Sequence, residues 1–115
     1  MRVQVIDSGN VDSFLICTLL RSSGYELKLS GQDSLDVFTT FMEFQPDAIV
    51  MDGDDYGEQK IKDLLVSVVG LRKFPLMVCT NRLMMKGKSY GERVTLEYLD
   101  KLYLPSLPWR LRQMV

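Results

Sequence analysis

The chain has 115 residues, 46% hydrophobic and 25% charged, the balance of one ordinary globular domain with a single core. No apolar run approaches the ~20 residues of a membrane-spanning helix, so neither an anchor nor a signal peptide is expected, and a cytoplasmic location is. Histidine is absent, which removes histidine acid–base catalysis, a histidine metal site and a phosphohistidine carrier within this chain.

The net charge of −1 conceals a polarity. Residues 1–70 carry five basic and twelve acidic side chains, a balance of −7; residues 71–115 carry nine basic and three acidic, a balance of +6. The basic half is not interleaved with aromatics as a nucleic-acid platform requires, so no nucleic-acid contact is expected through this domain. Cys17 and Cys79 lie in apolar surroundings without metal spacing and read as reduced core thiols.

In chain order, Arg2 to Ile6 reads as a strand ending at Asp7. Val11, Phe14, Leu15, Cys17 and Leu19 mark a helix that stops at Gly24. Tyr25 to Leu29 alternates as a short second strand. Asp33 or Ser34 caps a second helix carrying Leu35, Phe38, Phe41 and Met42, which ends before Pro46. Ala48-Ile49-Val50-Met51 is then an unbroken apolar run, the pattern of a parallel strand covered on both faces, and it runs into Asp52.

Ile61, Leu64, Leu65, Val68 and Val69 predict an amphipathic third helix. Leu76 to Cys79 predicts a fourth buried strand ending at Thr80. Asn81 to Lys101, interrupted by Gly87 and Gly91, reads as a short or loosely held helix, since each glycine costs about 1 kcal/mol inside a helix. Leu102 to Leu104 is the expected fifth strand, and Pro108 sits in the first turn of a last helix with Trp109, Leu111 and Met114. Met84, Met85, Tyr90, Tyr98, Tyr103 and Trp109 are expected to pack core and helix faces, some of them forming a partner surface.

Alternating strands and helices predict an α/β fold, a doubly wound five-stranded parallel sheet of order 2-1-3-4-5. The expected unit is one domain over residues 1–115. An uncapped last helix at Val115 suggests the N-terminal part of a longer protein. In such sheets chemistry lies beyond the carboxyl ends of the strands, where Asp7, Asp52 and Thr80 would meet.

The whole chain resembles the receiver domain of response regulators in two-component signalling. Pro46-Asp47-Ala48-Ile49-Val50-Met51-Asp52 is similar to that family's phosphoacceptor strand, Gly24-Tyr25 to its step into the second strand, and Gly31 to Leu35 to the start of its second helix. The resemblance implies Asp52 as phosphoacceptor, Thr80 as switch hydroxyl and Asp7 as first member of the acidic pair. It also implies a Mg²⁺ site made by Asp7, Asp52 and the Asp54 main-chain carbonyl.

The chain also departs from the family: the usual Met-Pro after the phosphoacceptor is missing, with Asp54-Asp55-Tyr56 in a shortened loop, and two further departures bear on charge. Ser8 stands where the family has its second acid, which weakens the Mg²⁺ site. Leu104-Pro105 falls where the family has Lys-Pro, so the charge-assisted contact to a phosphoryl oxygen is missing. Lys101, three residues earlier, falls on the opposite side of a strand by alternation and reads as a poor substitute. Neither departure suits phosphoryl transfer, which depends on electrostatic stabilisation.

The expectation is a non-enzymatic, receiver-like signalling domain acting through protein–protein recognition. Its expected partners are a histidine kinase or another signalling protein, with homodimerisation through the fourth and fifth strand–helix units. The alternative is a phosphorylation-independent pseudo-receiver module. A haloacid-dehalogenase-like phosphatase is remote, since Asp52-Gly53-Asp54 closes the third strand rather than the first. The echo of a class I glutamine amidotransferase in Val5-Ile6-Asp7 fails without a histidine base. Ser8-Gly9-Asn10 is too sparse for a flavin phosphate loop.

Overall fold

The apolar run at residues 48–51 is the middle of the molecule. Ala48, Ile49, Val50 and Met51 are each at most 2% exposed, so the strand is covered on both faces as its composition requires. The computed structural model describes residues 1–54, 74–81 and 94–115. Within them lie β1 (Arg2–Ile6), α1 (Val11–Ser22), β2 (Glu26–Ser30), α2 (Ser34–Phe44), β3 (Ala48–Asp52), β4 (Phe74–Thr80), β5 (Val94–Asp100) and α3 (Leu107–Met114). A 3-10 stretch, Lys101–Ser106, joins β5 to α3 and is kinked at Tyr103.

The sheet is five-stranded, parallel in every pairing, with order β2-β1-β3-β4-β5. Register matters for the site. Asp52 pairs with Cys79, Cys79 with Leu99, and Thr80 with Asp100, so β3, β4 and β5 end nearly level.

One sheet face packs on α1 and α3. Val3, Val5, Ala48, Val50, Met77, Cys79 and Leu99 meet Ile16, Cys17, Leu20, Leu107 and Leu111 there. The opposite face carries α2, whose Phe41 meets Phe74 of β4 edge-to-face at 4.9 Å between ring centroids. Strand alternation assigns Asp52, two residues after Val50, to the α1–α3 face.

Local signals set the ends. Asn10 caps α1, its side-chain oxygen accepting from the Ser13 N–H at 2.7 Å, and Gly24 follows the helix at φ +82°, a conformation glycine adopts without strain. Asp33 caps α2 by accepting from the Leu35 N–H, and Gln45 closes it in the left-handed conformation before Pro46. Pro108 sits in the first turn of α3.

The fifth strand is not where the sequence suggested. Val94 to Asp100 forms β5, seven residues matching the seven of β4, and Leu102 to Leu104 lies in the 3-10 stretch. Val-Thr-Leu-Glu-Tyr-Leu is the better strand, with a β-branched start and alternation, and Pro105 cannot donate to a ladder one residue after Leu104. The helix expected from Asn81 to Lys101 is excluded over Val94–Asp100, which is strand. Its residues 82–93, with Met84, Met85 and Tyr90, lie outside the described residues, as do residues 61–69, where the sequence predicted an amphipathic helix. Tyr103 and Trp109 are largely exposed rather than packed in the core, and Leu102 beside them is 81% exposed. Among the described residues no helix is long and apolar enough to cross a membrane.

Candidate functional site

Asp52 closes β3 with no exposed surface, and both its oxygens are held. Oδ1 accepts from the Asp54 main-chain N–H at 2.9 Å and faces the Lys101 ammonium at 2.8 Å. Oδ2 accepts from Asn10 Nδ2 at 3.0 Å. The strand end, the first loop and the residue after β5 thus meet on one buried carboxylate.

Lys101 is the cation, which corrects the sequence reading on two counts. Its side chain is 9% exposed, and Nζ lies 2.8 Å from Asp12 Oδ2, 2.8 Å from Asp52 Oδ1 and 2.9 Å from Asp54 Oδ2. Because β5 ends at Asp100, Lys101 has the parity of Leu99 and points to the same sheet face as Asp52. Leu104 was expected in the lysine's place; it is 3% exposed and belongs to the core under α1 and α3. The cation judged missing is present, three residues earlier.

Asp54 forms the second half of the cluster. Thr80 Oγ1 donates to its Oδ1 at 2.5 Å, and the Asn81 main-chain N–H lies 3.1 and 3.0 Å from Oδ1 and Oδ2. Burial pushes the Asp54 carboxyl up. Hydrogen bonds from Thr80, Lys101 and the Asn81 amide, with the Lys101 charge, outweigh it and hold the group below the ordinary carboxylate value. Burial alone would lower the Lys101 pKa, but its bonds to Asp12, Asp52 and Asp54 raise it instead. Beneath the cluster, burial first and then the Asp52 charge push the Cys79 thiol up to about 12.

Gly53 permits this packing. Its N–H donates to the Cys79 carbonyl at 2.8 Å, and a Cβ there would meet Val78 Cγ1 at 2.5 Å. Only glycine lets the backbone after Asp52 lie so close to β4.

The expected residues divide. Asp52, Asp54 and Thr80 are brought together at one sheet edge. Asp7 and Ser8 bond elsewhere: Asp7 Oδ1 accepts from the Gly9 N–H at 2.8 Å, and the Ser8 hydroxyl lies 2.7 Å from that of Ser13. Asp7 lines a cavity with Ser13, Phe14, Cys17 and Arg21. Asn10, Asp12 and Lys101 went unrecognised as site residues; Asn10 and Asp12 carried the ordinary signature of a helix start, which hides any second role.

Mg²⁺ takes near-octahedral oxygen ligands at about 2.0–2.1 Å. The arrangement fits that ion poorly: Asp7 is turned to Gly9, Ser8 to Ser13, and the oxygens of Asp52 are occupied by an ammonium and two N–H donors. Where three carboxylates do gather, at Asp12, Asp52 and Asp54, the Lys101 ammonium lies among them.

No family model matches the sequence, and no curated protein does. Solved structures do match. The N-terminal domain of a response regulator/sensory box/GGDEF three-domain protein from Carboxydothermus hydrogenoformans has TM-score 0.73 at 14% identity, over 99% of this chain and 92% of that one. The response regulator domain of Thermotoga maritima CheB gives 0.67 at 16% identity, covering 99% and 95%. The receiver domain of sensor histidine kinase PA1611 from Pseudomonas aeruginosa PAO1, solved with a magnesium ion in its active-site cleft, gives 0.69 at 21% identity, covering 98% and 95%. The chain therefore has the fold of response regulator receiver domains, in agreement with its sheet order.

Proposed function

We propose that the chain is a receiver-like signal transduction domain that works by protein–protein recognition, with Asp52 accepting a phosphoryl group from a histidine kinase or another signalling protein. One observation carries this reading: an ammonium 2.8 Å from Asp52 Oδ1, at the carboxyl edge of the sheet beside a hydroxyl. A phosphoryl group in transfer spreads negative charge over its oxygens, and a fixed cation in a dry site stabilises it most.

The residues divide the work. Asn10 and the Asp54 N–H orient the Asp52 carboxylate, Lys101 supplies the positive charge, and Thr80 is the hydroxyl that reorients and changes the partner surface of the last two strands. Mg²⁺ is at most a weak companion. The domain is read as a single unit, cytoplasmic and without enzymatic turnover, able to self-associate through β4, β5 and the segments around them, and not itself a nucleic-acid reader.

A second reading, a phosphorylation-independent pseudo-receiver, is favoured by the absence of an acid at Ser8 and by the full set of contacts already made by Asp52. Incubation with acetyl phosphate and Mg²⁺, followed by intact mass, separates the two. A gain of one phosphoryl group that disappears in Asp52→Asn supports the switch; no adduct supports the second reading.

A further inference from the structure

Three donors of different kinds converge on Asp54. A hydroxyl from Thr80, a main-chain N–H from Asn81 and the Lys101 ammonium all reach its two oxygens within 3.1 Å. Thr80 is fully buried, so its hydroxyl is committed to the interior. The same Lys101 Nζ touches Asp52 Oδ1, and the N–H of Asp54 donates to that same oxygen. The two carboxylates are therefore neighbours sharing one cation.

The consequence is steric and electrostatic. A phosphoryl group on Asp52 Oδ1 would carry its outer oxygens into the space beside Lys101 and Thr80. That space already holds an anion, the Asp54 carboxylate. Two anions cannot share one ammonium, one hydroxyl and one amide without losing contacts, and a buried anion left unpaired is strongly disfavoured.

We infer that Asp54 is a tethered competitor for the phosphoryl position: its carboxylate fills the anion cradle of Thr80, Asn81 and Lys101 beside Asp52. The unmodified chain then keeps Thr80 drawn toward the site edge, and a phosphoryl group enters only by displacing Asp54. This rests on the assignment of Asp52 as acceptor.

Binding of inorganic phosphate tests the cradle apart from the covalent step. The comparison is Asp52→Asn against Asp52→Asn/Asp54→Ala, read by the Asn81 amide resonance and by calorimetry. Removing Asp54 should raise phosphate affinity at least ten-fold, with the Asn81 amide moving on titration. Asp54→Ser in the same background serves as the second variant if the alanine protein is not folded. Equal affinity with and without Asp54, or no binding in either protein, overturns the inference.

Acetyl phosphate then tests the acceptor. An Asp52 oxygen attacks phosphorus, the bond from phosphorus to the acetate oxygen breaks, and acetate leaves with the electron pair. An adduct on the Asp54→Ala protein that is absent from Asp52→Asn/Asp54→Ala supports Asp52 as acceptor. Phosphate binding gained without any adduct sinks the acceptor assignment, and with it the competition for a phosphoryl group, leaving Asp54 as the occupant of an anion cradle only.

Discussion

Replacing Lys101 by methionine is the sharpest test of the site's energetics. The substitution keeps the aliphatic stem and removes the charge, leaving three carboxylates whose oxygens had all lain within 2.9 Å of one ammonium. They are not equivalent. Asp52 is wholly buried, Asp54 is 21% exposed and Asp12 is 43% exposed, so water can compensate Asp12 and cannot compensate Asp52. Breaking a buried ion pair from one side costs about 3–5 kcal/mol, whereas an exposed pair is worth about 0–1 kcal/mol. Asp52 sets the answer.

The expected loss for Lys101→Met is therefore about 3–5 kcal/mol, a large share of the ~5–15 kcal/mol that holds a domain together. For a chain of this size that corresponds to a fall in Tm of roughly 12–20 °C. Thermal and urea unfolding followed by far-UV circular dichroism at pH 7 measures it. Adding Asp52→Asn to Lys101→Met should recover much of the loss, because it removes the buried charge left behind, whereas Asp12→Ala alone should cost under about 1 kcal/mol. A Lys101→Met protein within about 1 kcal/mol of the parent would refute the argument, since the ammonium would then behave as a surface charge.

Leu104→Lys, the change that would place a lysine where the receiver resemblance expects one, is expected to destabilise by several kcal/mol and to install no phosphorylation, because it drives a charge into the core beside Leu107 and Leu111; unfolding curves and intact mass check both halves. Acid unfolding reports on Asp54, whose folded pKa is depressed: its contribution is full above the unfolded carboxyl value near 3.9 and is lost as pH falls through the lower folded value, so Asp54→Asn should flatten that acid limb. Lys101, raised in the folded state, contributes fully below its unfolded value near 10.4 and loses that contribution only as pH rises through the higher folded one. A parent protein that unfolds below pH 10 through this group would contradict the ion-pair cluster.

Legibility in the sequence followed burial symmetry. β3 was readable because both of its faces are covered, which leaves an uninterrupted apolar run, and the caps at Asp33 and Gly24 were readable because their chemistry is local. β5 was not readable. Residues 81–101 read as a loosely held helix in spite of Gly87 and Gly91, and Leu104-Pro105 supplied a plausible but false landmark for the strand's end. Once that end was misplaced, alternation turned Lys101 away from the site, although the rule itself was sound. The site residues Asn10 and Asp12 were hidden for another reason: their contacts to Asp52 and Lys101 span 42 and 89 residues of sequence, and no local pattern encodes them.

The pocket as built selects an ammonium rather than a divalent ion. A hydroxyl at position 8 takes one anionic oxygen from the end of β1, while Asp12 on α1 and Asp54 after β3 bring two carboxylates to the neighbourhood of Asp52. Anionic oxygens gathered at about 2.8–2.9 Å round a nitrogen suit an ammonium, which donates three hydrogen bonds and tolerates loose geometry. A hard divalent ion demands shorter contacts and a near-octahedral set, and with Asp7 and Ser8 bonded elsewhere it would have to displace Lys101 to find three carboxylates. The Lys101→Met protein should consequently bind Mg²⁺ or Ca²⁺ more tightly than the parent, since it exposes the same oxygens without their resident cation. If calorimetry finds no gain in either ion's affinity, the carboxylates are held apart by their own elements, and the ammonium is a guest of their geometry rather than its organiser.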